Sequence, residues 1–334
     1  MRAEYQQYQQ ARKFGEEFLL LARRNQNRDF LLQAHHSLWT TLILLGEFAV
    51  SKEHLDQAVE IYDPQLHHSH TFHYGGHDPG VCCRSARSQA LWYLGYPDQA
   101  MKSAREGIAL AQKLSHPYSL AMMSEHSAMI SQFCRNYRET VERADAAIAM
   151  AREHGFSVFG ALGTLDRGWA LAEQGNEAEG LSEMHRGLTA YRAGGARLGL
   201  PYQLARLAEV YSRTGQLQEG LTSLTEALAL TEKTGERRWL AELHRLKGVL
   251  TLQSPGGLQH EAEESFQRAI SIARGQQAKS LELRATTSLA RLLRDTGRRD
   301  EARLILSEIY NWFTEGFDTA DLKDAKVLLD ELSD

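Results

Sequence analysis

Residues 202–232 read YQLARLAEVYSRTGQLQEGLTSLTEALALTE. Leu204, Leu207, Ala208 and Tyr211 recur at three and four residues, which marks one face of a helix as core-facing. Gly215 then ends that helix, because a residue without a Cβ takes the left-handed conformation at low cost. Beyond the turn, Gly220, Leu224, Ala227 and Leu228 set the inner face of a second helix. Small residues let the two helices approach closely, and the large ones fill the gaps between successive pairs. The stretch predicts a helix hairpin.

The same marks recur along the chain in both directions. Ser88, Ala128, Gly168, Ala208, Gly248 and Ala290 stand about 40 residues apart inside the first helices. Gly95, Arg135, Gly175, Gly215, Gly257 and Gly297 occupy the turns, and Ala100, Thr140, Gly180, Gly220, Ala262 and Ala302 open the second helices. Gly46, Ser51, Leu55, Ala58 and Val59 extend the template backwards, giving seven pairs. Each pair can bury its apolar stripe only against its neighbours, so the predicted fold is an all-α, right-handed solenoid with a concave inner face. The unit exceeds the usual tetratricopeptide length of about 34 residues and is nearer that of HEAT-like repeats. The small residues nevertheless fall where tetratricopeptide helices pack closest, which favours a tetratricopeptide-like array.

One domain is expected over 1–334: an N-terminal helix over 1–28, repeats over 29–317 and a capping helix over 318–334. Between the first and second pairs lies a surplus loop, DPQLHHSHTFHYGGHDPG (63–80), with turn residues and no helical period. In WFTEGFDTADLKDAKVLLDEL (312–332), Asp318 or Thr319 is the expected N-cap of the last helix. Asp321, Lys323, Asp324 and Lys326 form its expected outer, wettable face. Phe14, Phe18 and Leu21 make the first helix either a cap or a dimer contact.

Composition narrows the function. Lys and Arg total 38 against 43 Asp and Glu, a net charge of −5, so no sequence-independent grip on nucleic acid is expected. The N-terminus is an amphipathic pattern, neither a membrane span nor a secretory leader. Three cysteines, Cys82, Cys83 and Cys134, make no disulfide framework, which points to the cytoplasm.

No phosphate-binding loop, HExxH, GxSxG or CxxC motif is present, so neither enzymatic activity nor a cofactor is expected. His67, His68, His70, His73 and His77 crowd the loop, with Cys82 and Cys83 beyond. Imidazoles and thiolates are transition-metal ligands, but the spacing matches no standard site, and the expectation is a polar loop without metal.

Repeat register offers a partner surface instead. It places Gln89, Trp92 and Tyr93 of the second pair on the inner wall, then Glu125 and Gln132, then Trp169 and Glu173. Later pairs add Tyr202, Glu209, Arg213, Glu242, Arg245, Arg284, Arg291 and Arg294. The groove would be aromatic early and arginine-rich late. Arginines on a concave wall grip carboxylates or phosphates bidentately, and exposed Trp or Tyr are typical interaction anchors. The alternative is that each Arg pairs with a neighbouring Glu and that Trp92 and Trp169 are core residues between pairs.

GHDPGVCCRS (76–85), ALWYLGYPDQA (90–100), GWALAEQG (168–175), TGERRWLAELHRLKG (234–248), QQAKSLELRA (276–285) and WFTEGFDTADLKDAK (312–326) carry a resemblance. They resemble the C-terminal repeat region of large bacterial signalling proteins in which a class III nucleotide cyclase domain precedes an AAA/STAND-type ATPase and then tetratricopeptide-like repeats. The likeness runs from about Ala11 to the C-terminus. It implies a sensor or scaffold part of such a protein, or a stand-alone relative, regulating an ATPase or cyclase domain. Neither cyclase metal-binding aspartates nor Walker motifs are present here, so no catalytic residue carries over.

The expectation is thus a non-enzymatic module that binds a protein or peptide partner in its groove. The alternative is a sensor of a small anionic ligand held by Arg245, Arg284, Arg291 and Arg294. A metal at the histidine loop is a third reading.

Overall fold

The computed structural model describes residues 2–333, and among them every regular element is helical. After α1 (Arg2–Arg24) come seven antiparallel pairs. They are α2 (Arg28–Leu45) with α3 (Phe48–Ile61), α5 (Pro79–Tyr93) with α6 (Pro97–Leu114), and α7 (Pro117–Phe133) with α8 (Tyr137–His154). Next are α9 (Ser157–Glu173) with α10 (Glu177–Ala193), α11 (Leu200–Arg213) with α12 (Leu217–Thr234), α13 (Leu240–Gln253) with α14 (Gln259–Gly275), and α15 (Lys279–Asp295) with α16 (Arg299–Tyr310). The spacer holds the short α4 (Pro64–His67) and a 3-10 turn (His68–Phe72), and α17 (Ala320–Ser333) ends the stack. The architecture is a tetratricopeptide-like solenoid. None of the described helices is long and apolar enough to cross a membrane.

The small-residue code works as steric clearance. A Cβ on Gly180 would sit 2.5 Å from the Gly168 carbonyl oxygen, so α9 and α10 touch backbone to backbone. Gly215 holds φ +73° in its turn. In the sixth pair the left-handed residue is Gly256, not the expected Gly257, because the α13–α14 connection is longer and turns one residue earlier. At the third turn Arg135 takes φ +56° where most other turns use glycine.

The spacer differs from the plain loop expected. Asp63 caps α4 through the Gln65 amide, at 2.8 Å, and the helical turns that follow bury His67 and His70. The Asp63 amide donates to His67 Nδ1 at 2.8 Å, Gln33 Nε2 lies 2.9 Å from His70 Nδ1, and both histidines place Nε2 3.3 Å from Asp29 Oδ1. These side chains are structural ties.

The superhelix winds so tightly that early pairs meet late ones. Ser280 Oγ donates to the Trp92 carbonyl at 2.6 Å, the Gly316 amide to Asp98 Oδ2 at 3.0 Å, and the Arg237 amide to the Leu44 carbonyl at 2.7 Å. Trp92, Phe133, Tyr202 and Trp239 fill the axis between them. Phe133 stacks on Trp239 with ring centres 5.2 Å apart, and Trp92 lies 4.5 Å from Phe133. Large buried rings of this kind bury much apolar area each and help to hold the windings together.

Candidate ligand-binding trough

Closure of the superhelix decides which inner-wall residues stay open. Trp92, Tyr93, Trp169 and Tyr202 are 1–3 % exposed. They are core and not surface anchors: Trp92 and Tyr93 pack on Trp239 of the sixth pair, Tyr202 is wedged between Phe133 and Trp239, and Trp169 is packed between neighbouring pairs against Tyr137 and Glu209. Trp169 Nε1 donates to Glu209 Oε2 at 3.1 Å, and Tyr202 Oη donates to Gln132 Oε1 at 2.7 Å. Gln89 and Glu125 are buried as well. Burial pushes the Glu125 carboxyl up to about 7, against the opposing pull of Arg206 and Arg238, and its Oε2 has no hydrogen-bond partner. The aromatic half of the predicted groove is therefore closed.

The arginine-rich half remains open. A trough of about 570 Å³ runs along the first helices of the last three pairs, α11, α13 and α15, and α17 walls its side. That volume lies in the range of small-molecule and short-segment pockets. Leu246, Val249, Phe266 and Leu292 supply apolar lining, while Arg213, Arg245, Arg284 and Arg291 supply cations. Arg294 lies outside. It pairs with Asp295 at 2.9 Å and with Glu331 of α17 at 2.5 Å, since it sits one turn further along α15.

The cations differ in how far their charge is spent. Arg284 lies 2.7 Å from Asp321 Oδ2, and Arg245 lies 2.7 Å from Glu242 Oε1. Burial opposes the charge on Arg284, but Asp321, Glu242 and Glu209 outweigh it and hold the guanidinium protonated. Arg213 pairs with Glu173, whose carboxyl is pushed up by burial and by Glu209 beside it.

Arg291 is the exception. Its nearest carboxylate, Asp324 Oδ2, is 3.9 Å away, and its side chain is 48 % exposed. Burial first, then the neighbouring Arg245, Arg135 and Arg294, pull its pKa down despite Asp324. A guanidinium flanked by like charges and weakly paired gains more from an incoming carboxylate than its neighbours do.

Two features of the site escaped the sequence reading. Asp321 and Asp324, expected on the outer face of the cap, turn into the trough. Asp321 pairs with Arg284, and Asp324 lies 3.2 Å from Arg135 Nη1, because the cap docks against open first helices that present arginines. Arg135 itself lines the trough from a left-handed turn. The sequence signal was there: an arginine stands where equivalent turns carry glycine.

No family model matches the chain. An uncharacterized protein of Rhizobium meliloti (strain 1021) is 28 % identical over 262 residues, 78 % of this chain, and the chain spans about a quarter of that relative's length. Among solved structures, a Rap protein complexed with competence and sporulation factor superposes with TM-score 0.64 at 10 % identity, covering 93 % of this chain and 80 % of that one. Aspartyl phosphate phosphatase F from Bacillus subtilis gives TM-score 0.54 at 12 % identity, covering 91 % and 76 %. These likenesses establish a shared tetratricopeptide-like fold.

Proposed function

We propose that this chain is a regulatory binding module whose trough captures a short segment of a protein or peptide partner through a carboxylate on Arg291. The single observation that carries the reading is the weakly paired Arg291 in a trough that Leu246, Val249 and Leu292 also line. An amphipathic segment with one acidic group complements both. The Rap protein of the same fold was solved complexed with competence and sporulation factor, which supports ligand capture by such a superhelix.

The trough volume argues against a whole domain seated in the groove and for a few residues of extended chain. The resemblance to cyclase and STAND-type proteins, together with a relative about a quarter of which the chain spans, supports a sensor role beside an ATPase or cyclase domain.

Selection from a random library of short displayed peptides, with counter-selection against Arg291→Ala, tests the proposal. Enrichment of acidic sequences that compete for one site is the expected result. Enriched peptides that bind Arg291→Ala equally well would refute it. A second reading, a small anionic metabolite, is favoured by the same volume and cation. It is distinguished by melting shifts with free dicarboxylates and phosphates where no peptide is selected.

A further inference from the structure

Where the first pair meets the second, three metal-ligating side chains from separate segments converge. His36 comes from α2, His77 from the end of the spacer and Cys82 from the first turns of α5. Their ligand atoms all lie within 4.8 Å of one another, and none of the three residues is fully buried.

We propose that His36, His77 and Cys82 bind one divalent transition ion of the zinc class, clipping the spacer to the first two helix pairs. Cys82 Sγ stands 3.6 Å from His36 Nε2. Zinc held tetrahedrally by imidazole at about 2.05 Å and thiolate at about 2.3 Å separates those two donors by about 3.6 Å. One edge of the coordination tetrahedron is already set. The third donor needs a closure of at most ~1.4 Å to complete the face. His77 follows the consecutive Gly75 and Gly76, both at positive φ, where the backbone can adjust.

The orientation of His77 points the same way. Its Nδ1 donates to the Gly75 carbonyl at 3.1 Å, which leaves the lone pair on Nε2. That Nε2 is buried with no hydrogen-bond partner among protein atoms. A backbone carbonyl fixing the far nitrogen of a ligating imidazole is the usual outer-shell arrangement. One thiolate and two imidazoles select zinc-like ions over magnesium or calcium, which prefer oxygen. In the metal-free chain the Cys82 thiol and His36 Nε2 share a hydrogen bond, and the sulfur carries its proton. Binding exchanges that S–H bond for an S–metal bond, the proton leaves to solvent, and no electron moves.

Three of the other four loop histidines are committed elsewhere, His67 and His70 to Asp29 and His68 to Asp78 at 2.9 Å, and His73 is exposed and outside the cluster. The five-histidine cluster of the sequence is thus not the site, and only its last member takes part.

Titration of the untagged, chelator-treated chain with Co²⁺ tests the assignment. One cobalt per chain is expected, with a near-ultraviolet thiolate-to-cobalt band that Zn²⁺ abolishes by displacement. Cys82→Ser should remove the band while leaving far-ultraviolet dichroism and the metal-free melting point unchanged. Cys83→Ser should keep it, and His36→Gln or His77→Gln should weaken binding about tenfold or more. Absence of the band in the wild type, or its survival in Cys82→Ser, overturns the proposal. So does loss of binding on replacing His67 and His70 while the His36 and His77 variants bind normally.

Discussion

Arg284 and Asp321 join the capping helix to the axis of the superhelix. The Arg284 Nε lies 2.7 Å from Asp321 Oδ2 while its Nη2 donates to the Phe133 carbonyl at 2.7 Å. Its guanidinium also lies over the Trp92 ring, 4.9 Å from the centre. One side chain thus touches the second pair, the third pair and the cap, segments that close the winding.

Truncating it leaves the Phe133 carbonyl without its side-chain donor and the half-buried Asp321 carboxylate with only Arg135 Nη1, 3.8 Å away. Arg284→Ala should lower unfolding stability by about 3–5 kcal/mol, read by urea denaturation. Scattering should report a larger radius of gyration as the windings part. Replacing both partners, Arg284→Met with Asp321→Leu, should recover much of the loss, because no unpaired charge stays buried. A double variant as unstable as Arg284→Ala would show that the guanidinium packs the axis instead of pairing.

Steric clearance makes a second, opposite pair of outcomes. Gly180→Ala forces a methyl against the Gly168 carbonyl, 2.5 Å away, and should cost roughly 1–3 kcal/mol or more. Gly275→Ala, at the end of α14, meets nothing within 4 Å and should stabilise by about 0.5–1 kcal/mol. Thermal melts of the two variants check both signs. Equal effects would mean that the repeat code reflects helix propensity and not contact.

The contrast explains what could be read from the chain. Hairpins were legible because each is a local object: Leu204, Gly215 and Gly220 state a helix, a turn and a close crossing within one unit. Of the arginines that register assigned to the inner wall, Arg213, Arg245, Arg284 and Arg291 line the trough and Arg294 lies outside it. The fate of Trp92 and Tyr93 was not legible, because it depends on Trp239 and Ser280 arriving from the far end of the array. The closing angle sums small rotations over all repeats, and no single unit encodes it. The inward turn of Asp321 and Asp324 follows the same logic, since the arginines they meet belong to other pairs.

Glu125 makes stability depend on pH. Its folded-state pKa, about 7, exceeds the ordinary 4.5, so the native state holds a proton that the unfolded chain releases. Stability from this group is full below pH 4.5, falls as pH rises to 7, and is flat above; the loss is on the order of 3 kcal/mol. His36 and His126, lowered to about 4 chiefly by burial, act in the opposite sense below pH 6.5. The difference between the wild type and Glu125→Gln isolates the carboxyl. Glu125→Gln should gain on the wild type between pH 5 and 8 in urea melts. A constant difference across that range would mean that Glu125 is ionised in the fold at low pH.

Arg291 separates binding from stability. Its side chain is half exposed, its nearest carboxylate is 3.9 Å away, and Arg245, Arg135 and Arg294 surround it. Arg291→Ala therefore removes little pairing and relieves some repulsion, so unfolding stability should change by no more than ~0.5 kcal/mol. A carboxylate ligand seated on it gains a charge-assisted bond worth about 1.5–3 kcal/mol, so affinity should fall roughly ten- to a hundredfold. Arg294→Ala, outside the trough and already paired with Glu331, should leave affinity unchanged. Raising salt should weaken wild-type binding and leave Arg291→Ala nearly insensitive, because the screened attraction has gone with the side chain. Calorimetric titration of both variants with a peptide selected on the wild type, at low and high salt, reads all three effects. Equal losses from Arg291→Ala and Arg294→Ala would move the ligand from the trough to the outer face of α15.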